Sequence, residues 1–121
     1  MQANRGPFGG PFFYGCNMKK LFIAAILGSV LSAYANDVAE GRSKAEAACA
    51  LCHGPTGIAT LPNAPNLAGQ QAIYLTEQLR NYRSGKRQNE VMNMIAKPLS
   101  DADISHLAAW FSSVKVTAEA P

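Results

Sequence analysis

What the chain lacks narrows its identity before any motif is read. Nowhere in its 121 residues do β-branched and aromatic side chains alternate over a run bounded by turn signals, so no strand is predicted and an all-α fold follows. No apolar run reaches the roughly 20 residues of a membrane-spanning helix; the stretch from Leu21 to Ala33 has 13. Acidic residues are missing from the front: all eight (Asp37, Glu40, Glu46, Glu77, Glu90, Asp101, Asp103 and Glu119) follow that stretch, whereas Arg5, Lys19 and Lys20 precede it. The formal charge of +3 is therefore the charge of the front segment, since removing those three from eleven Lys+Arg leaves eight basic residues against eight acidic ones. Nothing in the remainder calls for nucleic acid or another polyanion.

The front segment has a recognisable plan. Met18-Lys19-Lys20, the apolar stretch and Ala33-Tyr34-Ala35 make the charged start, short apolar core and A-x-A site of a secretory signal peptide. Residues 1–17, rich in Gly, Pro and Phe, lie outside that plan, and the functional start is expected at Met18. The expected division is 1–35 as N-terminal extension and cleaved export signal and 36–121 as one domain, with no stable membrane insertion after cleavage. Export points to the periplasm. Cys16 leaves with the front, so the mature 86 residues hold two cysteines.

A domain of that size buries a modest share of its surface and gains only a few kcal/mol from its apolar core. Cys49 and Cys52 are too close to close a loop of useful entropy. A large bound cofactor is the better reinforcement. Three helices are predicted. Asp37 caps the first, which runs to about Ala50; the second covers about Gln70 to Ser84 with Leu75, Leu79 and Tyr82 on one face and stops at Gly85. The last opens at Ser100, with Asp103 completing a near capping box and Ile104, Leu107, Ala108 and Phe111 forming its apolar stripe. Gly54 to Gly69 holds three prolines and must be irregular. Gln88 to Pro98 is expected as an irregular link.

The chemistry sits in Cys49-Ala50-Leu51-Cys52-His53. This is C-x-x-C-H, the attachment signature for c-type haem. Two thiols about one helical turn apart add to two vinyl groups on one edge of the porphyrin, and the adjacent imidazole reaches the iron. A structural zinc site needs four ligands, and beyond this cluster the mature chain has only His106. A thioredoxin-like dithiol needs a βαβ pattern, which is missing.

With these residues the chain resembles the class I cytochromes c, and among them the small bacterial periplasmic type whose two-haem relatives duplicate the same domain. The resemblance rests on Gly41 eight residues before Cys49, the motif followed by Gly54, Pro65-Asn66-Leu67-Ala68-Gly69-Gln70, Met92 ahead of Leu99-Ser100-Asp101, and Leu107-Ala108-Ala109-Trp110-Phe111. It implies a cytochrome c fold of three to five helices wrapped around one covalently attached haem.

Thioether ligation opposite a histidine raises a haem's potential and fills the site that oxygen or peroxide would use. Met92 and Met94 are the candidates in the mature chain. The resemblance selects Met92, seven residues before the Leu of Leu-Ser-Asp, and leaves Met94 to core packing; His106 is expected to be a solvated side chain. The expected set is therefore Cys49 and Cys52 as haem attachment and His53 and Met92 as iron ligands. The resemblance also implies that the Pro65 carbonyl accepts from the His53 ring, a rigid turn being the other reading, and that Gly41 packs against Trp110 where the first and last helices cross. Tyr74, Tyr82 and Trp110 are candidate propionate donors or core residues. Arg80, Arg83, Lys86 and Arg87 are either propionate partners, a steering surface for an acidic redox protein or a solvated face.

The expected function is a periplasmic electron carrier with one haem c and its iron, passing one electron between redox partner proteins. It is expected to be a non-enzyme, either a monomer or the cytochrome subunit of a periplasmic dehydrogenase or oxidase complex.

Overall fold

A computed structural model describes residues 34–119. The expected extension and export signal lie almost wholly outside them, with Cys16 and Met18. Five helices and no strand occur among the described residues: α1 (34–48), α2 (Ala50–His53), α3 (Ala72–Ser84), α4 (Glu90–Ala96) and α5 (Asp101–Ser113). None is long and apolar enough to cross a membrane.

Local chemistry sets most of the boundaries. The Ser100 hydroxyl accepts from the Asp103 N–H while the Asp103 carboxylate accepts from the Ser100 N–H, a reciprocal capping box at the start of α5. α3 stops at Gly85, whose N–H returns to the Tyr82 carbonyl. The expected first helix is split. It runs to 48, breaks at Cys49 and resumes as α2, although the Cys49 N–H still reaches the Ala45 carbonyl over 2.9 Å. Gly54 ends α2 at φ +73°, where a Cβ would run into the Ile58 carbonyl oxygen.

The predicted irregular link at Gln88–Pro98 is instead largely helical. Asn89 caps α4, its side chain accepting from the Met92 N–H at 2.9 Å, and Glu90 places a negative charge in the first turn. Seven residues are two turns, too few to impose a hydrophobic period that a sequence window can register.

The core consists of Ala45, Leu75, Ala96, Leu99, Ile104, Leu107, Ala108 and Phe111. Four of these are the α5 stripe, so α5 is the element around which α3 and α1 are arranged. Ile104 and Leu107 are fully buried, and burial of such a side chain contributes about 1.5–3 kcal/mol. α1 crosses α5 at Gly41: a Cβ there would overlap the His106 backbone carbonyl and come within 2.9 Å of the Trp110 Cβ. Lys44 fixes the same crossing through a 2.7 Å ion pair with Asp103, and Arg42 lies 5.6 Å over the Trp110 ring. This seam anchors the helix that leads into the cysteine motif.

Candidate functional site

Cys49, at the break, and Cys52 and His53, on α2, line a single cleft. The His53 N–H donates to the Cys49 carbonyl at 3.0 Å, which closes the turn between them. His53 is the one buried polar residue among those described, with 7% of its surface exposed. Its Nδ1–H donates to the Pro65 carbonyl over 2.8 Å. A carbonyl only accepts, so the proton belongs on Nδ1 and Nε2 keeps the lone pair that a metal would take.

The loop at 54–69 delivers that carbonyl. Asn66 Oδ1 accepts from the Ala59 N–H at 2.7 Å, the Leu67 N–H donates to the Gly57 carbonyl at 2.7 Å, and Gly69 donates to the Phe111 carbonyl at 2.9 Å. The Thr60 hydroxyl adds a bond to the Leu51 carbonyl at 2.9 Å, tying the loop back to the motif. An irregular segment is thereby fixed at both faces, and the acceptor for the ring with it.

The cleft encloses about 520 Å³, within the roughly 300–1,000 Å³ of small-molecule sites. Its walls are mainly apolar, with Leu67, Leu75, Leu79, Ile95, Leu99 and Phe111 among them, and α4 contributes Met92. Met94 is 66% exposed and outside the cleft, so its expected place in the core is corrected. Positions i and i+2 on a helix stand about 200° apart; α4 can turn only one of Met92 and Met94 inward. His106 is also off the cleft. It is not freely solvated as expected: it lies in the α1–α5 seam with Nε2 3.5 Å from Asp37 Oδ1.

Burial, and secondarily the neighbouring Cys52, push the Cys49 thiol up to about 11, so in the unmodified chain it is a thiol and not a thiolate at neutral pH. The two sulfurs are not joined to each other. No three His, Cys, Asp or Glu side chains converge as a metal cluster among the described residues, which leaves zinc without a donor set. One imidazole with a fixed tautomer, one thioether, two thiols and a large apolar enclosure do fit a haem.

The supporting residues divide. Pro65 is the acceptor for His53, and Gly41 does pack against Trp110. Tyr74 and Tyr82 line the cleft; Trp110 does not, and for that reason it drops out as a propionate donor, while its buried Nε1–H has no partner among the described residues. One residue escaped the sequence reading. Asn93 spends both amide functions on the α3–α4 link: Nδ2 donates to the Tyr82 and Arg87 carbonyls at 2.6 and 2.9 Å, and Oδ1 accepts from the Asn89 N–H at 2.7 Å.

The family model for cytochrome c matches residues 38–115, which include every residue lining the cleft. The chain belongs to the cytochrome c family. It is 39% identical over 103 residues to cytochrome c4 of Pseudomonas aeruginosa, covering 83% of this chain and 51% of that protein. It is 42% identical over 82 residues to cytochrome c-554(548) of Halomonas halodenitrificans, covering 65% of this chain and 98% of the relative. The fold is similar to a solved structure of cytochrome c4 from Acidithiobacillus ferrooxidans, with a TM-score of 0.61 at 35% identity over 64% of this chain and 49% of that one. The chain thus spans about half the length of the cytochromes c4 it matches. The cofactor of the cytochrome c family is covalently attached haem c with its iron, and the cleft of this member has the size and donor set to hold it.

Proposed function

We propose that this cytochrome carries single electrons between redox proteins of the periplasm, with Cys49 and Cys52 attaching the haem and His53 and Met92 ligating its iron. The observation that carries this reading is the pairing of a tautomer-fixed imidazole on α2 with a thioether on α4 across one apolar cleft. Bound there, haem c supplies a one-electron ferric/ferrous couple.

The protein's part is to keep that couple free of other chemistry. His53 is held in one orientation by Pro65, so the ring need not turn when the charge changes. Met92 sits in the first turn of α4 with its backbone N–H engaged by Asn89. Two ligands on fixed elements leave little to rearrange, and a soft sulfur donor favours the reduced state. The apolar walls would exclude water from the face of a bound haem. The protein is read as a carrier with no turnover of its own, in keeping with its membership of the cytochrome c family.

Export and cleavage after Ala35 complete the reading. N-terminal sequencing of the chain from the periplasmic fraction is expected to begin at Asn36; an intact Leu21–Ala33 segment in a membrane fraction would replace the carrier with an anchored form. Partners are donor and acceptor proteins, met as a free monomer or within a redox complex, and size-exclusion of the native protein separates the two. Six-coordination is tested by mixing the reduced holoprotein with carbon monoxide at neutral pH. No spectral change is expected, and rapid binding would make the protein a ligand-binding haem protein and not a carrier.

A further inference from the structure

The basic cluster at the end of α3 divides in the fold. Arg83 lies 2.6 Å from Asp101 and donates to the Leu99 carbonyl at 2.9 Å, Arg80 lies 3.8 Å from the same carboxylate, and Lys86 is not on the cleft wall. Arg87 is on that wall. It is the only Lys or Arg among the lining residues, and none of them is an Asp or Glu. It takes part in none of the ion pairs found among the described residues.

Neutral groups hold it in place. Nη1 donates to Gln78 Oε1 at 2.8 Å, and the guanidinium lies 4.7 Å over the Tyr82 ring. Its backbone is fixed as well, the N–H donating to the Asn81 carbonyl at 3.0 Å and the carbonyl accepting from Asn93. A guanidinium offers five N–H donors in a planar fork that matches a carboxylate, and Gln78 takes one of them.

A haem carries its negative charge on two propionate carboxylates, and in this cleft only one side chain can neutralise either. We infer that Arg87 is the counter-ion of a haem propionate, positioned for it by Gln78 and Tyr82, and that it raises the reduction potential of the centre. The inference rests on the haem occupying the cleft. Its sign follows from charge: the ferric centre carries one more positive charge than the ferrous one, so a cation that cancels a nearby carboxylate favours the reduced state. Arg87 here is a positioning and tuning residue, distinct from the ligands.

The test is the reduction potential of the purified holoprotein, with the haem spectrum recorded beside it to establish that each variant holds its cofactor. Arg87→Gln is expected to shift the ferric/ferrous ratio several-fold to tenfold toward ferric at a given applied potential; tenfold is ~59 mV for one electron. Arg87→Lys keeps the charge and is expected to retain most of the wild-type value. Arg83→Gln removes a pair outside the cleft and is expected to leave the potential where it was. The Arg87→Gln shift is expected to persist at about 1 M salt, where the Debye length is about 3 Å and general surface charge is screened. An unchanged potential in Arg87→Gln, a shift that disappears in salt, or an equal shift in Arg87→Lys would each overturn the assignment. Absence of haem from the wild-type protein would instead overturn the reading of the cleft, a result the spectrum shows before any potential is measured. Should Arg87→Gln fail to take up haem, Gln78→Ala, which frees the guanidinium from its support without removing charge, is expected to give a smaller fall; no fall there would also count against the assignment.

Discussion

The imidazole of His53 and the carbonyl of Pro65, twelve residues apart in sequence, meet over 2.8 Å. That one bond selects the ring tautomer, and the loop that supplies it is braced by Asn66, whose Oδ1 takes the Ala59 N–H. Asn66→Ala is expected to cost about 1 kcal/mol from the lost bond and to loosen the His53 ring. Chemical denaturation of the holoprotein checks the first effect, and a broadened His53 ring resonance in NMR checks the second. Wild-type stability with an unaltered ring signal would mean that the backbone bonds of Leu67 and Gly69 and the Thr60 hydroxyl hold the loop without Asn66.

The crossing of α1 and α5 leaves no room for a side chain at Gly41. Alanine is favoured over glycine within a helix by about 1 kcal/mol, so an unconstrained site would gain from Gly41→Ala. Here the added methyl meets the His106 backbone, which cannot swing aside as a side chain would. Overpacking of this kind costs about 1–3 kcal/mol, and the net expectation is a lower melting temperature. A rise in melting temperature would show that the two helices separate without loss.

Ser100 and Asp103 make the start of α5 sensitive to acid. Hydrogen bonds from Lys44 and Ser100 hold the Asp103 carboxyl well below the usual carboxylate range. A folded-state value below the unfolded one, about 3.9, means that the stabilisation is complete above roughly pH 4 and is lost as pH falls through the lower, folded value. Asp103→Asn is therefore expected to be less stable than wild type at pH 7, with the difference narrowing in strong acid. Ser100→Ala removes the hydroxyl cap and is expected to cost about 1 kcal/mol at neutral pH. Urea unfolding from pH 2 to 7 measures both, and a pH-independent difference for Asp103→Asn would contradict the linkage.

The features legible in the sequence were those written locally. The C-x-x-C-H run, the Gly85 stop and the Ser100/Asp103 cap each involve neighbours within a turn or two, and each appears where the spacing placed it. The resemblance to cytochromes c carried the longer-range parts, Pro65 to His53 and Gly41 to Trp110. What escaped was set by tertiary structure or by brevity. α4 is too short to show a period, and without its helical turn nothing in the sequence says that Met92 and Met94 must point apart. The basic cluster reads as four equivalent charges until the fold commits Arg80 and Arg83 to Asp101 and turns Arg87 to the cleft. Asn93, a polar residue in an apolar stretch, gives no sign in one dimension that it joins the end of α3 to the start of α4.

The central claim is that the haem iron is held between His53 and Met92, and the far-red sulfur-to-iron band of the oxidised holoprotein tests it most directly. Wild type and Met94→Ala are expected to show the band, and Met92→Ala to lose it while keeping its covalent haem. A band that survives in Met92→Ala, or is lost in Met94→Ala alone, would contradict the assignment.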